Sequence, residues 1–590
     1  MVKVVSIYNK NHCCLAQSQF IDLLIIQNMS SSDDIRVVVG VDFGTTYSGF
    51  AYAHKSNPND VQVYDFWKGL HGGWFKTPTV INYDDSCANV MSWGLSALAT
   101  KPRGRSLRPS SKPIELFKLH LLKRGTTSLP DALNYKDVIK DYLKELGNYI
   151  RRRVKSHWHS LDFDSQVIIV ITVPAEFDDN AIETMSECAI GANLVKEENI
   201  ERNLKFTTEP EAAAINSISS LRNEYLLKSG DLFMVVDCGG GTVDLTTREL
   251  LDEDKLSEIT VRAGDNCGSC YVDQAFIEFL DSKIGSSTID ILKENHYVNL
   301  QYIVQDFCTT TKIFFTGRED DFLAYYLNLD EYEPIKKCIT GEEKEKLEAD
   351  EWLIEAKFDD VKEMFDPVIE RIFTLIRGQL EQLKRLKKDI SLMLLVGGFS
   401  ESEYLQDRIR GEFSSEVPNI SVPKNPVTSV MKGAVKFGLS EEVVESRVLN
   451  WTYGTCVVRK WLPTDPLSYK LPNGYVKVFE KFGEEGYGAP IKLNSKVIKD
   501  FKSFSLTQRK INIDMYVTKS LDAKYIGDPE IKLLRKFQLE LPELDSYEDI
   551  EDITISFILK FGRVGMSAIA ENKNTGHECK VTFKYDFDLV

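Results

Sequence analysis

The chain has 590 residues, more than one hydrophobic core usually organises, so two or more domains are expected. Its 43% hydrophobic and 27% charged residues are those of a globular protein with ample core material. A net charge of −17 argues against a general binder of nucleic acid or anionic membrane, which needs a basic surplus.

Residues 1–28 are mildly apolar, but Asp22 interrupts the run and no small-residue cleavage site follows, so they do not read as a secretory signal. Met29 precedes a polar Ser-Ser-Ser-Asp-Asp stretch and reads as the functional start, which makes residues 1–32 a disordered leader. A peptide from residues 1–10 of the endogenous protein would count against that reading. No apolar run reaches the roughly 18 residues of a membrane helix. Eleven cysteines without regular spacing suit a reducing compartment, and the cytoplasm is expected.

Residues 37–50 read VVVGVDFGTTYSGF: a β-branched run, an aspartate, a glycine and two threonines. Such a run is a buried strand, and Gly44-Thr45-Thr46 marks a tight turn at its end. The turn would offer backbone N–H groups and hydroxyls to an anion, with Asp42 beside them to hold a cation. Residues 232–246, LFMVVDCGGGTVDLT, repeat the design with Asp237, Gly239, Gly240, Gly241, Thr242 and Asp244. A third strand ends in glycines at residues 392–400, LMLLVGGFS.

Between these signals lie an amphipathic helix over residues 133–154 and a buried strand over 167–173 ending at Pro174. Residues 207–215, TTEPEAAAI, place Glu209 at a proline-started helix, where a carboxylate either orients water or simply caps the helix. Lys118 follows a basic, proline-rich loop (101–113) and on its own residues reads as a surface lysine on a short helix. The Arg151-Arg152-Arg153 run reads as a solvated face at a helix end. Cys267 and Cys270 have CxxC spacing, but two further zinc ligands are not near, so a glycine-rich turn is the better reading. Residues 361–388 form a long helical pattern in which Pro367 is expected to make a kink.

Strand–DxGTT, strand–DxGGGTxD and strand–GG, in that order, resemble the sugar-kinase, actin and heat-shock ATPase superfamily. Thr45-Thr46-Tyr47-Ser48 and Glu209-Pro210-Glu211-Ala212-Ala213-Ala214 resemble the heat shock protein 70 family, and Gly397-Gly398-Phe399-Ser400-Glu401-Ser402 its divergent cytosolic "protein 12" branch. The resemblance implies an α/β two-lobed actin-like ATPase domain of ribonuclease-H-like repeats over 33–445. An all-β sandwich without a helical lid, binding peptide or substrate, would follow over 446–590.

It implies ATP/ADP and Mg²⁺ as cofactors, with Asp42 and Asp237 on the metal through waters, since this ion keeps much of its hydration shell, and with Glu209, Asp237, Asp244 and Lys118 catalytic. Gly44, Thr45, Thr46, Gly239, Gly240, Gly241 and Thr242 would cradle the phosphates, Lys312, Gly397 and Gly398 would meet the adenosine, and Tyr47 and Phe399 complete the cofactor-binding set. Glu401 stands near where relatives carry a base-stacking arginine, and Glu176 replaces an aromatic residue at the hinge. The hydrophobic interdomain linker of the family is not evident in residues 440–449, and residues 459–488 read as an enlarged loop. The alternating residues 554–568 read as a strand pair followed by a turn over 572–576. Partners implied are unfolded or extended polypeptides and co-chaperones, for a monomer that binds neither nucleic acid nor membrane. Three functions compete: an ATP-driven chaperone, a nucleotide-binding scaffold that hydrolyses little, and a carbohydrate kinase.

Overall fold

The structure, a computed structural model, describes residues 35–67, 73–98, 113–122, 129–177, 179–440, 443–483, 486–502, 510–540, 554–561, 565–572 and 577–584. The expected leader, most of the basic loop and residues 573–576 of the last expected turn lie outside the described residues.

Strands β1 (Val37–Phe43) and β2 (Tyr47–His54) form the first hairpin, and the whole of β1 is buried. Helix α1 (Tyr135–His157) buries Val138, Ile139, Tyr142, Leu143, Leu146, Ile150 and Val154, at the three-and-four spacing of its sequence. Asn134 caps it by accepting from the Asp137 N–H. Arg151 and Arg153 at its end are not simply solvated: they engage Asp164 and the Tyr52 hydroxyl. Strand β3 (Val167–Val173) pairs parallel with β1, and β4 (Leu204–Thr208) parallel with β3. Strands buried on both faces need continuous apolar sequence, and VIIVITV supplies it. Among the described residues this first sheet has six strands.

The second sheet repeats the plan. Helix α2 (Glu209–Asn223) leads to β5 (Leu232–Cys238) and β6 (Val243–Leu250), an antiparallel hairpin, with β7 (Leu256–Glu258) beside β6. Helix α3 (Phe358–Leu386) buries a long stripe from Val361 to Leu383 against this sheet. Pro367 lies inside α3 without ending it. Strand β8 (Leu392–Val396) then pairs parallel with β5, as β3 does with β1. Helix α4 (Ser429–Leu439) crosses α2 so closely that a Cβ on Gly433 would overlap the Ala212 carbonyl. These two helices fill the core between the sheets with small residues: Ala212, Ala213, Ala214 and Ala434.

Strand β9 (Val444–Val448) pairs parallel with β7 and antiparallel with β10 (Pro490–Lys492), within an eight-stranded sheet. The domain limit expected at residue 445 thus falls inside a strand of the second sheet. From residue 452 onward, the described strands other than β10 form two four-stranded sheets, ordered 475–481, 452–460, 510–518, 532–540 and 496–502, 554–561, 565–572, 577–584. The enlarged loop expected over 459–488 is instead largely a hairpin, Thr452–Lys460 against Tyr475–Lys481. The β-branched and aromatic run Tyr475-Val476-Lys477-Val478-Phe479 was the overlooked strand signal.

Candidate functional site

Asp42 and Asp237 occupy the same place in the two repeats, one residue from the end of the first strand of each hairpin. Asp237 pairs in register with Asp244, so both carboxylates of the second hairpin sit side by side. The two turns meet. A Cβ on Gly240 would overlap the Thr46 hydroxyl, and one on Gly241 would stand 2.6 Å from Thr45 Oγ1. Only glycine lets the second turn come so close to the first. Gly397, at φ +83°, rides directly over Asp237, and any Cβ there would strike the Asp237 carboxylate and the Cys238 carbonyl.

Residues around the first turn brace it. The Thr79 N–H donates to the Thr46 carbonyl and its hydroxyl to that of Gly44, both at 2.8 Å. The second turn is closed by the Gly239 N–H on the Thr242 carbonyl, 3.0 Å. N–H groups of Gly268, Ser269 and Cys270 clasp the carbonyls of Gly241, Gly239 and Gly240. The CxxC segment therefore serves as a clasp for this turn, with both thiols free.

Helix α2 delivers Glu209 from the opposite side. Thr208 is its N-cap, accepting from the Glu211 N–H, so Glu209 is released from the capping role. Its carboxylate instead receives Lys118 Nζ at 2.8 Å, and the lysine side chain is only 2% exposed. The surface alternative for Lys118 is thereby rejected. Lys76, which the sequence reading missed, places Nζ 2.7 Å from Asp42 Oδ2. That contact is an ion pair by distance, although its angle is not that of a hydrogen bond. Asp244 accepts from the Ala175 N–H at 2.8 Å, which ties the hinge segment after β3 to the second hairpin, while its buried Oδ2 has no hydrogen-bond partner.

Crowding shifts the ionisation of this set. Burial, then the charges of Glu209 and Asp42, push the Asp237 carboxyl up to about 8 against the opposing pull of Lys76 and Lys118. Burial and the nearby Glu209 and Glu176 raise Asp244 well above the carboxylate range. Burial also raises Glu209, with Lys118 opposing it. Burial works against the charge of Lys76, but Asp42, Asp237 and Glu209 together hold its ammonium above the usual value.

The expected adenosine residues fare differently. Tyr47, expected on the nucleotide, is 47% exposed and lies near Cys308, Asp273, Lys312 and Glu115. Lys312 Nζ is committed to Asp273 and to the Ser269 carbonyl. Phe399 is a core residue, 5% exposed with its ring centroid 6.2 Å from that of Phe365, so its side chain is not available to a base. The hydrophobic spacing of 392–399 does not distinguish a ring turned inward from one turned to the cleft.

The expected metal carboxylates sit among other charges. Asp42 already has Lys76 as its counter-ion, and among the described residues no three His, Cys, Asp or Glu side chains are grouped to hold a metal ion. The residues present do not fit a magnesium ion held directly by the Asp42 carboxylate.

Known proteins resemble this chain in sequence. A family model described as a domain of unknown function (DUF8340) matches residues 228–422. The heat shock 70 kDa protein 12B of Homo sapiens is 25% identical over 93% of this chain and 91% of its own length. The heat shock 70 kDa protein 12A of Mus musculus is 26% identical over 94% and 92%. The chaperone protein DnaK of Picrophilus torridus is 25% identical over 71% of this chain and 61% of its own. Such relatives imply an actin-like ATPase fold, of which the paired mixed sheets are the visible part. Over nearly its whole length the chain is a homologue of the heat shock 70 kDa proteins 12A and 12B, matching a divergent protein 12-like branch of the heat shock protein 70 family.

Proposed function

We propose that this chain binds ATP and ADP between the two hairpins and hydrolyses ATP slowly. The observation that carries this reading is the meeting of two repeat-related strand–turn units, where Asp42, Asp237, Asp244 and Glu209 surround Lys76 and Lys118. Phosphoryl transfer to water calls for positioning and charge neutralisation, and this set has the groups for both. The turns at Gly44–Thr46 and Gly239–Thr242 would cradle phosphates, Lys118 would neutralise the terminal charge, and Glu209 and Asp244 would orient the attacking water. The two sheet-and-helix repeats would act as lobes that close on the nucleotide.

The strands from Thr452 onward, in this reading, form a β-sandwich that binds extended polypeptide. An open groove of about 560 Å³ lined by Phe479, Lys481, Phe482, Lys499 and Leu521 offers apolar and polar partners for such a segment. A monomer acting with co-chaperones in the cytoplasm is part of the proposal. No helix among the described residues is long and apolar enough to cross a membrane.

A second reading, a nucleotide-binding regulator without turnover, draws support from the Lys118–Glu209 pair, in which the ammonium already occupies one oxygen of that carboxylate and competes with an attacking water for it. Fluorescent-ADP binding and single-turnover ATP hydrolysis, on the full chain and on Asp237→Ala and Glu209→Gln, separate the two. Turnover lost in both variants supports the ATPase. Binding without turnover in the wild type supports the regulator, and no binding at all would refute both.

A further inference from the structure

Lys76 belongs to none of the recognised motifs, yet it occupies the centre of the site. It precedes the short strand Thr77–Pro78, which pairs with Ser48 and Tyr47 of β2, so its backbone is fastened beside the first turn. A Cβ on Gly49 would lie 3.0 Å from Lys76 Cγ and 2.6 Å from the Phe75 carbonyl, a sign of how tightly this segment lies on the hairpin. From there the side chain reaches inward. Only 14% of it is exposed, against 4% for Asp42. Its ammonium acts on Asp237, Glu209 and Glu401 as well as on Asp42, that is, on groups from both hairpins, α2 and the end of the third strand. Two carboxylates of the site thus have one lysine each, Asp42 with Lys76 and Glu209 with Lys118. A buried carboxylate with an ammonium at this distance is already compensated, and a second cation would have to displace the first.

Resting on the nucleotide reading above, we propose that Lys76 is the resident cation of this site, standing where a divalent metal would otherwise sit beside Asp42. The phosphates of a bound nucleotide are then met by Lys76 and Lys118 and not by a metal held on the protein. A lysine suits the task because its compact charge has three donors on a flexible stem, enough to hold Asp42 and a phosphate oxygen together. Binding of ADP consequently needs no added divalent ion.

Two measurements on the full chain test this. The first is a nucleotide-free titration with Mn²⁺, followed by its paramagnetic signal. The wild type should take up no Mn²⁺ that Asp42→Asn removes, whereas Lys76→Met should gain one such site. A wild-type Mn²⁺ site that Asp42→Asn abolishes and Lys76→Met leaves unchanged would overturn the proposal, whatever nucleotide does. The second is fluorescent-ADP affinity in EDTA and in magnesium. The wild type should bind within about threefold in the two media, and Lys76→Met should lose about tenfold or more in EDTA and recover part of it with magnesium. A wild-type loss of about tenfold in EDTA would refute the inference while leaving nucleotide binding intact. Absence of ADP binding in either medium would sink the nucleotide reading instead, with the Mn²⁺ titration still deciding the place of Lys76. Lys76→Arg, which keeps the charge, should behave as the wild type in the Mn²⁺ titration and guards against misfolding of the methionine variant.

Discussion

Glu211, two residues beyond Glu209 on α2, anchors a buried charge network whose disruption should be felt far from the turns. Its carboxylate takes Arg248 Nη2 at 2.9 Å, Arg447 Nη2 at 2.8 Å and the Thr207 hydroxyl at 3.0 Å, with Arg262 Nη2 at 3.8 Å. Glu258 is the other anion, held by Arg262 at 2.7 Å and accepting from the Val448 N–H at 2.9 Å. The side chains of Glu211 and Arg248 are completely buried. Glu211→Gln keeps the shape but leaves three guanidinium groups facing one carboxylate. Breaking a buried pair from one side costs about 3–5 kcal/mol.

Arg447→Met should cost less, about 1–3 kcal/mol, because Arg248 and Thr207 still satisfy Glu211. The double variant removes the surplus cation and should fall short of the summed costs by roughly 1–3 kcal/mol. Arg447 lies on β9, so the local assay is hydrogen exchange of the Val444–Val448 amides. A local loss of about 3 kcal/mol accelerates exchange through opening by about two orders of magnitude. Exchange unchanged within about threefold in Glu211→Gln, or strict additivity in the double variant, would refute the reasoning.

Other expectations follow from single contacts. Lys118→Met strands the Glu209 carboxylate in the interior and should lower the midpoint of urea unfolding while abolishing single turnover; a variant as stable as the wild type would contradict the pair. Gly397→Ala should weaken fluorescent-ADP binding and cost about 1–3 kcal/mol from backbone strain alone. Gly378→Ala, in α3 where a Cβ meets nothing within 4 Å, should stabilise by about 0.5–1 kcal/mol on the same denaturation curve.

Burial pushes the thiols of Cys188, Cys238 and Cys270 up to about 12, so they carry almost no thiolate at pH 8. Mass spectrometry after iodoacetamide should find them unmodified in the native chain and modified in urea. Asp366, facing the Tyr404 hydroxyl, Lys362 and Arg408, is held below its usual value against the opposing effect of burial. Its contribution is present above the unfolded carboxylate pKa and lost as pH falls through the folded one, so Asp366→Asn should destabilise at pH 7 and do so progressively less as the pH falls below about 4.

Strands β1, β3, β5 and β8, the two glycine turns and helices α1 to α3 were legible because each follows from local periodicity or from glycine placement. The pairing of Asp42 with Asp237 was legible too, since the same strand–aspartate–glycine design occurs twice. Lys76 was not legible. It lies outside either hairpin, and only strand pairing of Thr77–Pro78 with β2 brings it to Asp42. The rotameric choice of Phe399, core or cleft, depends on Phe365, and the commitment of Lys312 depends on Asp273; neither partner is visible from the motif itself. Strand β9 was hidden because SEEVVESRVL reads as a charged linker until Arg447 is seen to face Glu211. Buried charges mislead a hydropathy reading wherever their counter-ions come from distant sequence.

The three-residue strand β10 has a consequence for how the molecule is made. It covers the outer edge of β9, although about 40 residues of a different sheet intervene between the two. On the ribosome, at roughly 5–20 residues per second, the earlier sheet waits some 2–8 s with that edge bare. Bare strand edges recruit other strands. A fragment cut at residue 449 would keep that edge permanently and should appear in gel filtration as soluble oligomers or aggregate, so the natural unit for dissection extends past residue 492.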